Sequence, residues 1–580
     1  MRKKFSLNTA DEQNKMKITY VSFMSGLLLL FLLAQSGGGM AEAMADAGPE
    51  TDFNGDGYGD LAVGVPNESI NGKANAGSVN VVYGSASGIS ATAVPDQRFF
   101  QDLAGIDGVS KLDDKLGTDV ATADFNGDGY DDLAAGAPGD DYGSPATGSV
   151  NVIYGSSGGL SATGPLPDQI WTGSSPGLND ITLADCSPPA IPDLPIQGFG
   201  KALAAGDFNG DRYDDLAVVA GDDICLTGQG SVGTFWIRGS LHVIYGSASG
   251  LAITPSLDNQ HTIAHQITFY STLETGDFNN DGKDDLAAGD PGDFCCSGAA
   301  GSGGGQVSIF YGGAGGFAEG ADGRMTASQN WRQGEQNIEG ESFSGDAYGS
   351  AFASGNFNGD AYGDLAVGDP NEGFSDYGVV NIIYGSASGL SATIVLPDQL
   401  FMQDSPNIEG TSETGDRFGS ALAAGDLNGD GKEDLAAGSP DEDVGPTVDA
   451  GSSNIIYGSA PAGLSPTAVL PDRVLDQNSA NVEGTSEATD AYSSSGTGSG
   501  GFAAAITAGD YNNDGRDDLA IGVPGEDVGM VVDAGSSNVI YGSASGISAT
   551  AALPDRVLDQ NSAGAEDSCE TGDRFGNALA

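Results

Sequence analysis

The sequence predicts an all-β protein: a seven-bladed β-propeller of four-stranded antiparallel blades, closed by a C-terminal strand that completes the N-terminal blade. Three observations predict it. An acidic nine-residue loop recurs seven times, at spacings of 70 to 84 residues. Every unit carries four strand-length segments in the same order, the third ending in Tyr-Gly at Tyr83, Tyr154, Tyr245, Tyr311, Tyr384, Tyr457 and Tyr541. Helical periodicity is nearly absent beyond about residue 48. Short strands repeated at a period of this length are the signature of a blade array; a solenoid is the competing architecture.

Each unit opens on small and apolar residues after an aromatic-Gly pair, as in Phe418-Gly419-Ser420-Ala421-Leu422-Ala423-Ala424-Gly425. The acidic loop follows and leads into Leu-Ala, as in Asp132-Leu133-Ala134-Ala135-Gly136-Ala137-Pro138. The third segment, for example Ser149-Val150-Asn151-Val152-Ile153-Tyr154, alternates as a mostly buried strand does. A weaker fourth strand, as at Gln169-Ile170-Trp171, comes after a Gly-Leu or Gly-Ile turn. The first loop lacks the opening pattern before it, and the chain stops on that pattern, Phe575-Gly576-Asn577-Ala578-Leu579-Ala580, without its loop. Ring closure explains both ends and removes exposed sheet edges; a chain cut at the start of an eighth unit is the alternative.

Oxygen-bearing side chains stand at loop positions 1, 3, 5 and 9. Position 1 is Asp52, Asp124, Asp207, Asp277, Asn356, Asp426 and Asp510; position 3 is Asn54, Asn126, Asn209, Asn279, Asn358, Asn428 and Asn512. Position 5 is Asp56, Asp128, Asp211, Asp281, Asp360, Asp430 and Asp514; position 9 is Asp60, Asp132, Asp215, Asp285, Asp364, Asp434 and Asp518. Calcium takes six to eight hard oxygen ligands, and a short acidic loop with alternating ligands and a turn glycine supplies them. Up to seven Ca²⁺ are therefore expected. Solvated Asp/Gly turns would not require four matched oxygens seven times.

Acidic residues number 81 against 21 Lys and Arg, a formal net charge of −60. That balance excludes nucleic acid and anionic membrane surfaces as partners, and 20 of the acids occupy proposed ligand positions. Residues 1–47 read as a signal and processing region, and residues 48–580 as the propeller. Arg2, Lys3, Lys4, Lys15 and Lys17 precede a short apolar core at 27–34, with small-residue cleavage patterns at Ala41-Glu42-Ala43 and Ala45-Asp46-Ala47. A retained anchor is the alternative, and Met16 is a second possible start. No later segment is long and apolar enough to span a bilayer, so a secreted or cell-surface monomer is expected. Five cysteines, Cys186, Cys225, Cys295, Cys296 and Cys569, are too few for a disulfide framework and lack zinc-ligand spacing; Cys186 and Cys225 could pair.

Phe199-Gly200 and Gly136-Ala137-Pro138, set around a D-x-N-x-D-G-x-x-D loop, resemble the FG-GAP repeats of the integrin α-subunit β-propeller and its bacterial relatives. The resemblance covers about residues 48–580. It implies seven blades with calcium between the first and second strands, and a backbone oxygen ligand at position 7: Tyr58, Tyr130, Tyr213, Lys283, Tyr362, Lys432 and Arg516. All seven units here carry the loop, whereas integrin propellers are occupied in a subset of blades. Asn356 and Ala361 make the fifth loop the weakest expected site. Arg212 replaces the turn glycine in the third. No Asp-x-Ser-x-Ser site, leg or cytoplasmic segment is found, which argues against an integrin subunit.

The expected role of calcium is structural, because clustered carboxylates repel until a dication binds. The inter-blade connectors, such as 172–197, 333–347 and 478–500, fall on the face opposite the calcium loops, and variable loops on a rigid scaffold are where binding sits. In integrins the partner-binding face is likewise opposite the calcium loops. The function expected is adhesion to, or recognition of, a protein or glycan ligand. A propeller-based hydrolase or lyase acting on extracellular polymers, and a structural fragment of a larger adhesin, are the alternatives. The chain is expected not to be an enzyme: it has three histidines, His261 and His265 are four apart without helical periodicity, and no Ser/His/Asp or Cys/His arrangement is legible. Trp171, Trp236 and Trp331 are expected to pack within blades, with a glycan site as the other reading.

Overall fold

Seven four-stranded sheets account for every strand in the computed structural model. It describes residues 51–89, 95–142, 148–176, 178, 198–227, 234–253, 260–261, 271–292, 304–320, 325–373, 375–393, 397–466, 470–479, 482, 501–547, 553–562 and 568–580, with side chains left aside at 222–239 and 260–261. All lie in the compact unit Pro49–Ala580. Among the described residues there is no helix, hence none long and apolar enough to cross a membrane. The signal segment, Cys186, Cys295, Cys296, His265 and most of the connectors at 172–197 and 478–500 lie outside the described residues.

Blade 2 shows the pattern: strands Val120–Ala123, Asp132–Ala137, Ser149–Ile153 and Gln169–Thr172, each antiparallel to the next. The middle two strands are buried on both faces, because each blade is sandwiched between two others. Blade 1 is composite. Its strands Leu61–Val65, Ser78–Val82 and Gln97–Phe99 are joined by Ala578–Leu579, with Gly64 opposite Ala578 and Val63 opposite Leu579. The ring thus closes as the offset of the two chain ends predicts.

The apolar interior is a set of layers between blades. In one of them Val79, Val81 and Tyr83 of blade 1 pack with Leu133 and Ala135 of blade 2. The closing layer joins Leu61 and Val63 to Val539, Tyr541 and Phe575. The repeated motifs have steric reasons there. A Cβ on Gly136 would collide with the carbonyl oxygen of Gly200, so the glycine of Gly-Ala-Pro lets the aromatic-Gly segment of the next blade approach to backbone contact.

The terminal tyrosine of each third strand reaches into the next blade. Leu160 N–H donates to the Tyr83 hydroxyl at 3.1 Å, Leu251 N–H to Tyr154 at 3.1 Å and Leu390 N–H to Tyr311 at 2.9 Å. At the closure Ile89 N–H donates to Tyr541 at 3.1 Å. A side chain on Gly88 or Gly159, both at positive φ, would overlap the tyrosine hydroxyl it covers. Tyr541→Phe leaves the buried Ile89 N–H without its acceptor, at a cost of about 1–3 kcal/mol. The urea midpoint of the full chain is expected to fall, by an amount similar to that for Tyr83→Phe; an unchanged midpoint would show that the closing bond is worth nothing.

Candidate metal sites

Each acidic loop is anchored at both ends. Position 2 is an apolar plug, with Phe53, Phe125, Phe208, Phe278, Phe357 and Leu427 fully buried and Tyr511 nearly so. Position 9 is a buried aspartate that opens the second strand in blades 2 to 7 and immediately precedes it in blade 1. Between them the position-1 carboxylate gathers backbone donors: Gly55 N–H at 2.7 Å, Asp56 N–H at 3.2 Å and Gly57 N–H at 2.8 Å all point at Asp52. Position 6 holds positive φ throughout, including Arg212 at 73° and Ala361 at 98°, where a side chain strains the turn.

The position-9 carboxyl joins the loop to the third strand. Asp60 Oδ1 accepts from Gly84 N–H at 2.9 Å, and the same bond recurs from Gly155, Gly246, Gly312, Gly385, Gly458 and Gly542 to the other six. This explains why every third strand ends in Tyr-Gly. In all seven loops the position-3 asparagine donates its Nδ2 to the position-9 carboxylate, from 2.8 Å in Asn428–Asp434 to 3.4 Å in Asn54–Asp60. Each amide oxygen is thereby left to face elsewhere, and Asn358 Oδ1 is buried without a hydrogen-bond partner.

Burial pushes Asp60, Asp132, Asp215, Asp285, Asp434 and Asp518 up to about 8, and the carboxylates at positions 1 and 5 push the same way against the backbone donors. Asp364 is raised well above the usual carboxylate range for the same reasons. An all-oxygen donor set with buried, mutually repelling carboxyls and an unpartnered amide oxygen fits a hard divalent cation.

The structure brings together, within each loop, the residues predicted at positions 1, 3, 5 and 9. Position 7 divides the loops into two groups. The tyrosines leave position 5 bonded to its own turn, as in Tyr130 N–H to Asp128 at 3.2 Å. Lys283, Lys432 and Arg516 instead pair with Asp281, Asp430 and Asp514 at 2.9, 2.8 and 3.3 Å. In loop five Asn356 offers Oδ1 to Asp360 N–H at 3.0 Å, and its amide nitrogen stands where the other loops have a second acceptor oxygen.

Sequence reasoning missed position 8. The N–H of each position-8 residue donates to the position-1 carbonyl of the preceding loop, through Asp131, Asp214, Asp284, Gly363, Glu433, Asp517 and, at the closure, Gly59 to Asp510 at 3.0 Å. Where position 8 is Asp, its side chain accepts the N–H of that same position-1 residue: Asp131 from Asp52 at 2.7 Å, Asp214 from Asp124 at 3.0 Å, Asp284 from Asp207 at 2.8 Å and Asp517 from Asp426 at 2.7 Å. The loops are one hydrogen-bonded ring. The available signal was an acid at position 8 in five of seven copies.

Trp331 is buried, and Trp171 packs against a blade layer while donating Nε1 to Gln169 at 3.3 Å. Cys569 is a free thiol.

A closed seven-bladed ring with one acidic cation-type loop per blade defines a repeat propeller. It carries FG-GAP repeats: residues 51–82, 116–153, 199–237, 269–310, 418–457 and 502–541 match the FG-GAP repeat. The blade whose loop begins at Asn356 is outside these matches. Among curated proteins the chain is 29% identical over 200 residues to phosphatidylinositol-glycan-specific phospholipase D of Bos taurus, covering 33% of this chain and 24% of that one. The phospholipases of that name from Homo sapiens and Mus musculus are 33% and 36% identical, over 29% and 30% of this chain and 17% and 18% of theirs. The matches therefore span a quarter or less of these relatives. Among solved structures, a Bacillus licheniformis rhamnogalacturonan lyase covers 63% of this chain and 67% of its own at 11% identity and a TM-score of 0.25. An exotype rhamnogalacturonan lyase covers 75% and 74% at 12% identity and 0.27. These two likenesses are too weak to carry a functional reading.

The curated relatives are enzymes by name, and that overturns the expectation that this chain is not an enzyme. A shortage of histidines excludes only chemistry that needs them.

The upward shifts fix a pH dependence for the ion-free fold. A carboxyl raised from 3.8 to about 8 contributes stability that is full below 3.8 and is lost as pH rises through about 8. In chelator, the melting temperature is expected to fall as pH rises from about 5 to about 8.5. A flat or rising profile would contradict the buried, ion-free carboxyls described.

Proposed function

We propose that the seven loops hold calcium and that the loaded propeller works in an exported hydrolase acting on a glycan-bearing substrate. The observation that carries the metal half is the sevenfold cradle around a buried position-9 carboxyl. In each loop the side chains of positions 1, 3, 5 and 9, with the position-7 backbone oxygen, would be the ligands. Calcium would relieve the repulsion among them, so its binding energy becomes folding energy. Loop five is the weakest site, with one carboxylate fewer and Ala361 held at positive φ. In loops four, six and seven the cation at position 7 competes for the position-5 carboxylate.

The substrate half rests on the curated relatives, whose name specifies a phosphatidylinositol-glycan. Export agrees with the basic and apolar pattern at the N-terminus. The connector face, opposite the loops, is the surface proposed to meet the ligand, because its segments vary from blade to blade while the loop face is repeated. The test is release of a glycosylphosphatidylinositol-anchored reporter from vesicles by the full chain, with binding to the same vesicles followed in parallel. Calcium-dependent release is expected, abolished by chelator and restored by calcium. Calcium-saturated protein that neither binds nor releases the reporter would overturn the substrate half.

A further inference from the structure

A second group of acids lies at the other end of blade 5. Asp346 comes from the connector entering the blade, Asp369 ends the strand Asp364–Asp369, and Glu372 stands in the turn after it. One carboxylate oxygen of each lies within 4.8 Å of the others. All three are withdrawn from solvent, at 2%, 0% and 8% exposure. Asp369 Oδ2 and Glu372 Oε2 are buried with no hydrogen-bond partner. Asp369 spends its other oxygen on Ala347 N–H at 2.8 Å, and Asp346 accepts Gly373 N–H at 3.1 Å. Among the described residues none of the three carboxyls forms an ion pair.

The equivalent places in other blades are neutralised or bonded. Glu68 in blade 1 has Arg98 at 3.0 Å and the Gln560 amide. Asp140 in blade 2 has Gln101 at 2.9 Å and Ser149 Oγ at 2.7 Å. Glu442 and Glu526 each take a glutamine amide from the preceding blade at 2.6 Å. In blade 5 the corresponding Gln333 donates Nε2 to Asn381 at 3.2 Å and also lies against Glu372. The residue that is Val65, Ala137, Ser439 or Val523 in blades 1, 2, 6 and 7 is Asp290 in blade 4 and Asp369 in blade 5. Blade 5 thus sets Asp369 beside Asp346 and Glu372, a third carboxylate that blades 1, 2, 6 and 7 lack at this strand end.

We propose that Asp346, Asp369 and Glu372 bind one hard divalent cation, calcium by preference, on the connector face of blade 5. Three carboxylates supply oxygen ligands of the type calcium selects. Burying three like charges without a counter-ion is unfavourable. The five-residue step from Asp364 to Asp369 places this site about 16 Å from the acidic loop of its own blade. It is thus separable from the loop sites, and it marks the face that the connectors occupy.

Crystals of the full chain soaked in manganese chloride give the direct test. An anomalous peak in contact with oxygens of Asp346, Asp369 and Glu372 is expected. No peak there, in crystals whose loops are filled, overturns the proposal in favour of a proton-sharing carboxyl group. Native mass spectrometry in calcium supplies the second measurement. Glu372→Gln and Asp369→Asn are each expected to carry one ion fewer than the unmodified chain; an unchanged count in a folded variant overturns the assignment. Neither result depends on the hydrolase reading, since both count ions at a named place.

Discussion

The buried carboxyl at loop position 9 is the constraint from which the rest of the architecture follows. It opens the second strand in blades 2 to 7 and immediately precedes it in blade 1, it receives the asparagine of its own loop, and it accepts the N–H that follows the terminal tyrosine of the third strand. One side chain thus sets the loop, the register of the central strand pair and the position of the tyrosine that reaches the next blade. Its burial is electrostatically unfavourable while the loop is ion-free, because desolvation and two nearby carboxylates oppose its charge. A cation bound at such a site would be coupled to the whole ring.

Contacts between blades repeat that coupling around the circle. Position-8 amides link each loop to the one before it, tyrosine hydroxyls link each third strand to the next blade, and glutamines do the same on the connector face. Each set runs through the junction between the last blade and the first, where Gly59 meets Asp510, Ile89 meets Tyr541 and Glu68 meets Gln560. The composite first blade is held by three independent kinds of bond besides its strand pairing. A propeller of small apolar layers, with no single large core, depends on such repetition because no one interface buries much by itself.

Much of this was legible in the sequence because it repeats. Seven copies of one loop marked the four oxygen-bearing positions that the structure brings together, the Tyr-Gly endings marked the third strands, and the one-strand offset of the ends marked closure at Ala578–Leu579. What stayed hidden lies between blades, at separations of about 60 to 90 residues, where no local spacing reports the contact. Position 8 looked like loop filler until Asp131 was seen to hold Asp52, and Gly159 looked like an ordinary turn residue until Tyr83 was found against it. Asp369 was invisible for a different reason: the residue between Gly and Pro varies from blade to blade, and a repeat reading averages such variation away. The expectation of a non-enzyme rested on a search for histidine-based arrangements, and the enzyme names of the curated relatives overturn it.

The central claim, that this ring is stabilised by calcium in its acidic loops, is tested most directly by the thermal melt of the full chain. One sample is scanned in millimolar calcium, one in excess chelator and one in millimolar magnesium at the same pH. The account predicts a large calcium-dependent rise in Tm that magnesium does not reproduce, as binding to the folded state alone requires. Superimposable melts in calcium and chelator would contradict it and leave the seven loops as solvated turns.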